Sequence, residues 1–252
     1  MTEVEKLKNK RKKELRSNII FIIVVAVMFI TIIVIVSREL LNRYEPDPSL
    51  YVEYDLRKDT IPAPKQKIIP QEKREKETWE IRGTKMVVTK IATYDITGKV
   101  EAIKDYGTNL FSNMLSLRGG NPYDYISPID LTLSWGNVAK EKNSGHIFCD
   151  QYELNTYRAV MIRMDEYMYE KYGNRALTQV SNNHIVTLNK NFRKILSKIK
   201  LDDIVRMKGH LILVEDENNG HWGPSSLVRD DNGCEILLLE DIVIMPRKRN
   251  NT

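Results

Sequence analysis

His184 is the side chain best suited to moving protons, because an imidazole changes charge near neutral pH. It closes the run Ser181-Asn182-Asn183-His184, so Ser181 is the nearest hydroxyl and the two read as a base and a nucleophile. No G-x-S-x-G elbow accompanies them, and a histidine at a strand end also serves as a packed residue satisfied by one hydrogen bond. His146, His210 and His221 complete the histidines, and none has H-x-H or H-E-x-x-H spacing, so no metal site is expected. Arg229, Asp230, Asp231 and Glu235 flank a tight turn and fit either a polar binding pocket or an ion-paired hairpin tip. Trp135 and Trp222 each have a glycine neighbour and fit a sugar-stacking platform or, alternatively, a core or loop-pinning role. Cys149 and Cys234 are the only cysteines; they fit a disulfide in an oxidising compartment or two free thiols. With no C-x-x-C, a zinc ribbon or a thioredoxin-like site is excluded. No Walker A, dinucleotide fingerprint or paired metal motif is present, and no cofactor is expected.

The elements that carry these residues stand behind a very different N-terminus. Ile19 to Val36 holds no charge and one polar side chain, Thr31. As a helix that run spans roughly 27 Å, enough to cross a hydrocarbon core of about 30 Å with snorkelling ends. It is longer than a signal-peptide apolar region, and Ser37-Arg38-Glu39-Leu40 offers no small-residue cleavage site, so the reading is an uncleaved anchor. Residues 1–17 carry 7 basic and 3 acidic groups. The positive-inside rule therefore predicts a cytoplasmic N-terminus and an exported C-terminal part.

The basic pI of about 9.0 suggests nucleic acid until the charge is located. Residues 77–252 hold 23 basic and 23 acidic side chains, so the excess is a topology signal rather than a phosphate-binding surface, and no nucleic-acid partner is expected. Residues 37–76 contain Pro46, Pro48, Pro62, Pro64 and Pro70 among many charges and read as a semi-rigid linker. The organisation expected is a basic tail (1–17), a transmembrane helix (18–36), a linker (37–76) and a globular domain (77–252).

Within that domain, alternation from Lys85 to Ala102 predicts a long strand bent at Gly98. Ser127-Pro128-Ile129-Asp130 has the form of a helix start, with a short helix running to about Trp135. Tyr157 to Met164 reads as a strand followed by a helix. Asn189 caps a helix over 190–200 whose Phe192, Ile195, Leu196 and Ile199 share one face. Val205 to Val214 and Cys234 to Met245 read as neighbouring strands, with Glu217-Asn218-Asn219-Gly220 closing a hairpin.

Four segments, SPIDLTLSWG (127–136), SNNHIVTLN (181–189), DDIVRMKGHLI (202–212) and SSLVRDDNGCE (225–235), resemble an uncharacterised family of bacterial single-pass, N-terminally membrane-anchored proteins. Asn232 stands where a threonine is common in that family, and the turn before the cysteine is shorter. The resemblance implies the architecture and carries no reaction.

The fold expected is α+β: a β-rich small barrel, OB-like or SH3-like, with flanking helices, preceded by one transmembrane helix. The function expected is a membrane-tethered, extracytoplasmic binding or assembly module in the bacterial inner membrane, contacting an envelope protein or a cell-wall glycan. The runner-up is a membrane-anchored hydrolase using His184 with Ser181 or an acidic partner.

Overall fold

The computed structural model describes residues 20, 21, 23–31, 33, 48–50, 52, 59–107, 122–141, 146–154, 157–224, 227 and 233–245. The chain divides into two compact units, Met1–Glu45 and Pro46–Thr252. In the first, the described residues between 20 and 33 are helical, and their apolar side chains are mostly exposed. Among the described residues, no helix is long and apolar enough to cross a membrane.

The second unit is a β-rich α+β fold organised by one strand, β3 (Thr84–Asp105), after β1 (Lys65–Ile68) and β2 (Lys76–Ile81). β3 is rich in β-branched residues, which suit a pleated, packed surface. Its length lets it pair on both edges. Along one edge lie β2, β1 and then β4 (Ile129–Ser134); along the other lies β8 (Ile204–Asp216). β4 pairs antiparallel with β7 (Val180–Val186), β7 pairs parallel with β10 (Cys234–Met245), and β10 pairs antiparallel with β8. The path β3–β4–β7–β10–β8 therefore returns to β3, and the sheet is partly ring-closed. Register shifts at Lys90/Ala92 and Val100/Ala102 in β3, and at Leu239/Asp241 in β10, supply local bends. Gly209 lies opposite the β10 shift; a Cβ there would stand 1.9 Å from the Leu238 carbonyl oxygen, so only glycine fits.

A parallel pair needs a crossover. Here it runs from β7 through α3 (Lys190–Leu196), β8 and the short β9 (His221–Trp222), which folds back on β8. Asn189 caps α3 by accepting a hydrogen bond from the Asn191 N–H at 2.8 Å. The helix stops at Leu196, short of the expected Lys200, yet Phe192, Leu196 and Ile199 are all buried, and α3 packs on β10. Between β4 and β7 the chain inserts a separate hairpin, β5 (Ile147–Leu154) with β6 (Tyr157–Met164), followed by α2 (Glu166–Tyr172). This insertion has its own small core of Val138, Ile147, Ile162, Met168, Ala176 and Val180.

Two expectations are corrected. Ser127 does not start a helix: Ile129–Ser134 is β4, buried on both faces, and the helix α1 (Pro122–Ile126) precedes it. Ile129, Leu131 and Leu133 alternate with Asp130, Thr132 and Ser134, and that period of two, satisfied by pairing on both sides, overrides the local capping signature. Part of the segment read as linker is also folded. Ile61 bridges Gly136 and is buried, and β1 and the start of β2 pair with β3. The sheet thus begins well before the expected domain start at residue 77. The expected long strand around Lys85–Ala102, the strand-then-helix at 157–172 and the paired strands β8 and β10 all appear.

Candidate functional site

β4, β7 and β10 lie side by side, and their register decides which side chains meet. Asp130 is opposite His184, Thr132 is opposite Asn182, and Asn182 is opposite Cys234. Side chains two apart on a strand share a face, so Asp130, Thr132, Asn182, His184 and Cys234 stand on one face of the sheet. Three of the segments singled out in the sequence meet here.

His184 Nδ1 lies 2.8 Å from Asp130 Oδ1, and both side chains are fully buried. The other ring nitrogen, Nε2, has Asn182 Nδ2 as its neighbour at 3.5 Å. Burial disfavours the charged ring, but the Asp130 charge and hydrogen bond, joined by Cys234, more than offset it and raise the His184 pKa to about 9. The ring is thus held as an imidazolium against its carboxylate at neutral pH. Trp222 covers it with ring centroids 5.2 Å apart, and Tyr123 meets Trp222 edge-on at 5.4 Å. Around them pack Ile126, Val186 and Ile236.

A polar ladder continues across the face. Thr132 Oγ1 donates to Asn182 Oδ1 at 3.2 Å, and Cys149, reaching over from β5, donates its thiol to Thr132 Oγ1 at 3.0 Å. Burial pushes the Cys149 thiol pKa up, and the nearby charges of Glu101 and Asp150 push the same way. Further along β4, Ser134 donates to Glu101 at 2.5 Å, and Glu101 pairs with Lys99 at 3.0 Å. Burial raises the Glu101 pKa against the opposing pull of Lys99. A cleft of about 310 Å³ opens on this face, lined by Lys104, Asp130, Thr132, Cys149, Asp150 and Asn182 among others.

The other candidates fall elsewhere. Ser181 stands three residues from His184 on one strand and so points to the opposite face, where its hydroxyl accepts from Asn183 Nδ2 at 3.1 Å. Trp135 and Trp222 are 3% and 4% exposed, so neither presents a ring face to a sugar in solution. Glu235 is buried on the side of β10 away from Cys234. Arg229, Asp230 and Asp231 lie outside the described residues. Cys149 and Cys234 are both half-buried and are not joined in a disulfide. His146 pairs with Asp165 at 2.6 Å and His210 with Glu240 at 2.7 Å. Among the described residues, no group of three His, Cys, Asp or Glu is placed to hold a metal ion.

Sequence reasoning named His184 and Cys234 separately and passed over Asp130 as part of a helix start. The alternation in Ile129–Ser134 was the signal that places Asp130 on the histidine's face. The fold and site together define a Cys–His–Asp cluster carried on neighbouring strands of a partly ring-closed sheet. No family model, no curated protein and no solved structure matches the chain.

Proposed function

We propose that this chain is a membrane-tethered, extracytoplasmic binding module whose OB-like barrel holds a cell-wall glycan at the β4–β7 face. The observation that carries the reading is the cleft of about 310 Å³ on that face, where the exposed Lys104 and Asp150 offer a donor and an acceptor suited to sugar hydroxyls over a polar floor of Asp130, Thr132 and Asn182. The strand circuit supports the OB-like assignment. A long bent strand pairs along both of its edges, a helix leads into β8, and the parallel β7–β10 pair completes the path. Barrels of that kind bind oligonucleotides and oligosaccharides, and the balanced charge of residues 77–252 favours the sugar. Tethering is supported by the uncharged run Ile19–Val36 behind its basic flank. Within it the Thr31 hydroxyl donates to the Val27 carbonyl at 2.8 Å, which spares it a partner that lipid cannot provide.

The intact chain, purified in detergent, should co-sediment with peptidoglycan sacculi, and Lys104→Glu should weaken that binding severalfold. A folded protein that ignores sacculi and instead crosslinks in cells to one envelope protein would move the assignment to a protein partner. The runner-up hydrolase gains an acidic partner for His184 in Asp130 and loses Ser181, which faces the other way.

A further inference from the structure

We infer that the groove between β1, β3 and β8 binds the phosphate group of a small phosphate ester. It shares only β3 with the glycan cleft, at a different stretch of that strand, and does not depend on glycan binding.

Strand register builds the groove. Lys65 of β1 is opposite Asp95 of β3, which is opposite Lys208 of β8. Lys67 is opposite Thr93, which is opposite His210. Side chains two apart on a strand share a face, so both rows stand on one face of the sheet. Tyr94 and Met207, at the alternate positions, are buried on the other face. A hollow of about 320 Å³ opens over the two rows, at the small end of the range for ligand pockets.

The carboxylates of the groove are already engaged. Arg206 grips Asp95 with its Nε at 3.0 Å from Oδ1 and its Nη2 at 2.9 Å from Oδ2. Glu240 meets His210 at 2.7 Å and lies 3.8 Å from Lys90, which is held by Glu75 at 2.9 Å. The groove lysines are not engaged. Among the described residues, no carboxylate lies within ion-pair distance of Lys65, Lys67 or Lys208, although Asp241 is opposite Lys208 in β10. Lys208 is half-buried, so its charge is partly stripped of water with no carboxylate in contact. Lys65 and Lys67 come from β1, outside residues 77–252, so the balanced charge of that stretch does not describe this face.

The kind of cation selects the ligand. The arginine fork matches a carboxylate at two points, and Arg206 is taken up by Asp95 in that way. Lysine is a compact point charge with rotatable donors on a flexible stem, which suits the spread charge of a phosphate. A phosphate monoester carries about −1.5 to −2 charge at pH 7, enough to answer several cations at once. Strands lie about 4.8 Å apart, so Lys65 and Lys208 flank a gap of about 10 Å that their stems close from the two sides. The exposed Thr93 hydroxyl stands between Lys67 and His210 as a further donor.

The test titrates glycerol phosphate into the full chain in a nonionic detergent at low salt, read by calorimetry. Saturable one-site binding is expected, weakening as salt rises. Lys208→Gln should weaken it about ten-fold, as should Lys65→Gln combined with Lys67→Gln, because each removes charge-assisted hydrogen bonds. Lys85→Gln removes the same charge from an exposed position of β3 outside the groove and should leave the affinity unchanged. Acetate at the same concentration should not compete. Absence of saturable binding overturns the inference. So does equal weakening by Lys85→Gln, which would mean that net charge alone attracts the anion. Equal competition by acetate overturns the choice of phosphate. Association with phosphatidylglycerol vesicles without binding of the soluble ester overturns the site as well, leaving only attraction between charged surfaces. Should Lys208→Gln lower the melting temperature, the β1 double variant decides, because both of its lysines are exposed. A loss of sacculus binding with the ester still bound would sink only the glycan reading.

Discussion

The Asp130–His184 pair should make stability depend on pH in a definite direction. Its folded pKa of about 9 lies above the ordinary 6.5, so the folded state holds a proton that the unfolded chain gives up. The stabilisation is complete below about pH 6.5 and drains away as pH climbs through about 9. Its full size is on the order of 3 kcal/mol. Urea unfolding at a series of pH values across that window should show the loss, and His184→Gln should flatten it; a slope that survives the substitution refutes the assignment. Asp130→Asn leaves the buried ring without its counter-charge and should cost roughly 3–5 kcal/mol, read as a lower melting temperature. At this scale the sequence was half legible. His184 and Cys234 stood out by type, but pairing His184 with Ser181 ignored the strand's period. A spacing of three puts two side chains on opposite faces, whereas the true partner, Asp130, comes from a strand 54 residues away by number and meets His184 by register, with Cys234 on the same face of β10.

Among the elements, α3 and the β8–β10 pair are the most exposed to test. Leu196 is fully buried and Lys194 is exposed on the same short helix. Leu196→Asp should lower the melting temperature of the domain sharply, because it puts a charge into the α3–β10 contact, while Lys194→Asp should hardly move it. Equal effects would mean that the helix does not pack by that face. Gly209→Ala should cost more than about 1–3 kcal/mol in chemical denaturation, since the Leu238 carbonyl that its Cβ meets is backbone and cannot swing aside. A neutral Gly209→Ala would show that β10 yields at its register shift. These elements were visible in sequence because each carries its own apolar period and its own stop signals. β1 was not: Lys65–Ile68 is polar and largely exposed, and it is a strand only because the edge of β3 offers it partners. β4 carried two conflicting signals, a cap and an alternation, and pairing on both sides decided for the strand.

For the whole molecule, the folded unit starts earlier than composition suggests. Ile61 is buried against Gly136, and β1 is held on β3, so limited proteolysis should release a fragment that retains Lys65–Ile68. A stable core beginning at Trp79 would contradict the sheet. A periplasm-dependent reporter fused after Thr252 should be active, and activity of a cytoplasm-dependent one would reverse the proposed orientation. The class of fold was legible from strand and helix patterns. Ring closure was not, because it rests on β3–β8 and β7–β10 pairings between segments far apart in the chain, which no local pattern encodes.

The parallel pair of β7 with β10 has a further consequence for the order of events when the chain is made. Until β10 arrives, β7 keeps one bare edge, and the path β3–β4–β7–β10–β8 stays open. β10 is the latest of these strands to leave the ribosome, and its register puts Cys234 on the face of the sheet that carries His184. A nascent chain therefore keeps the edge of β7 bare until its last strand has been made.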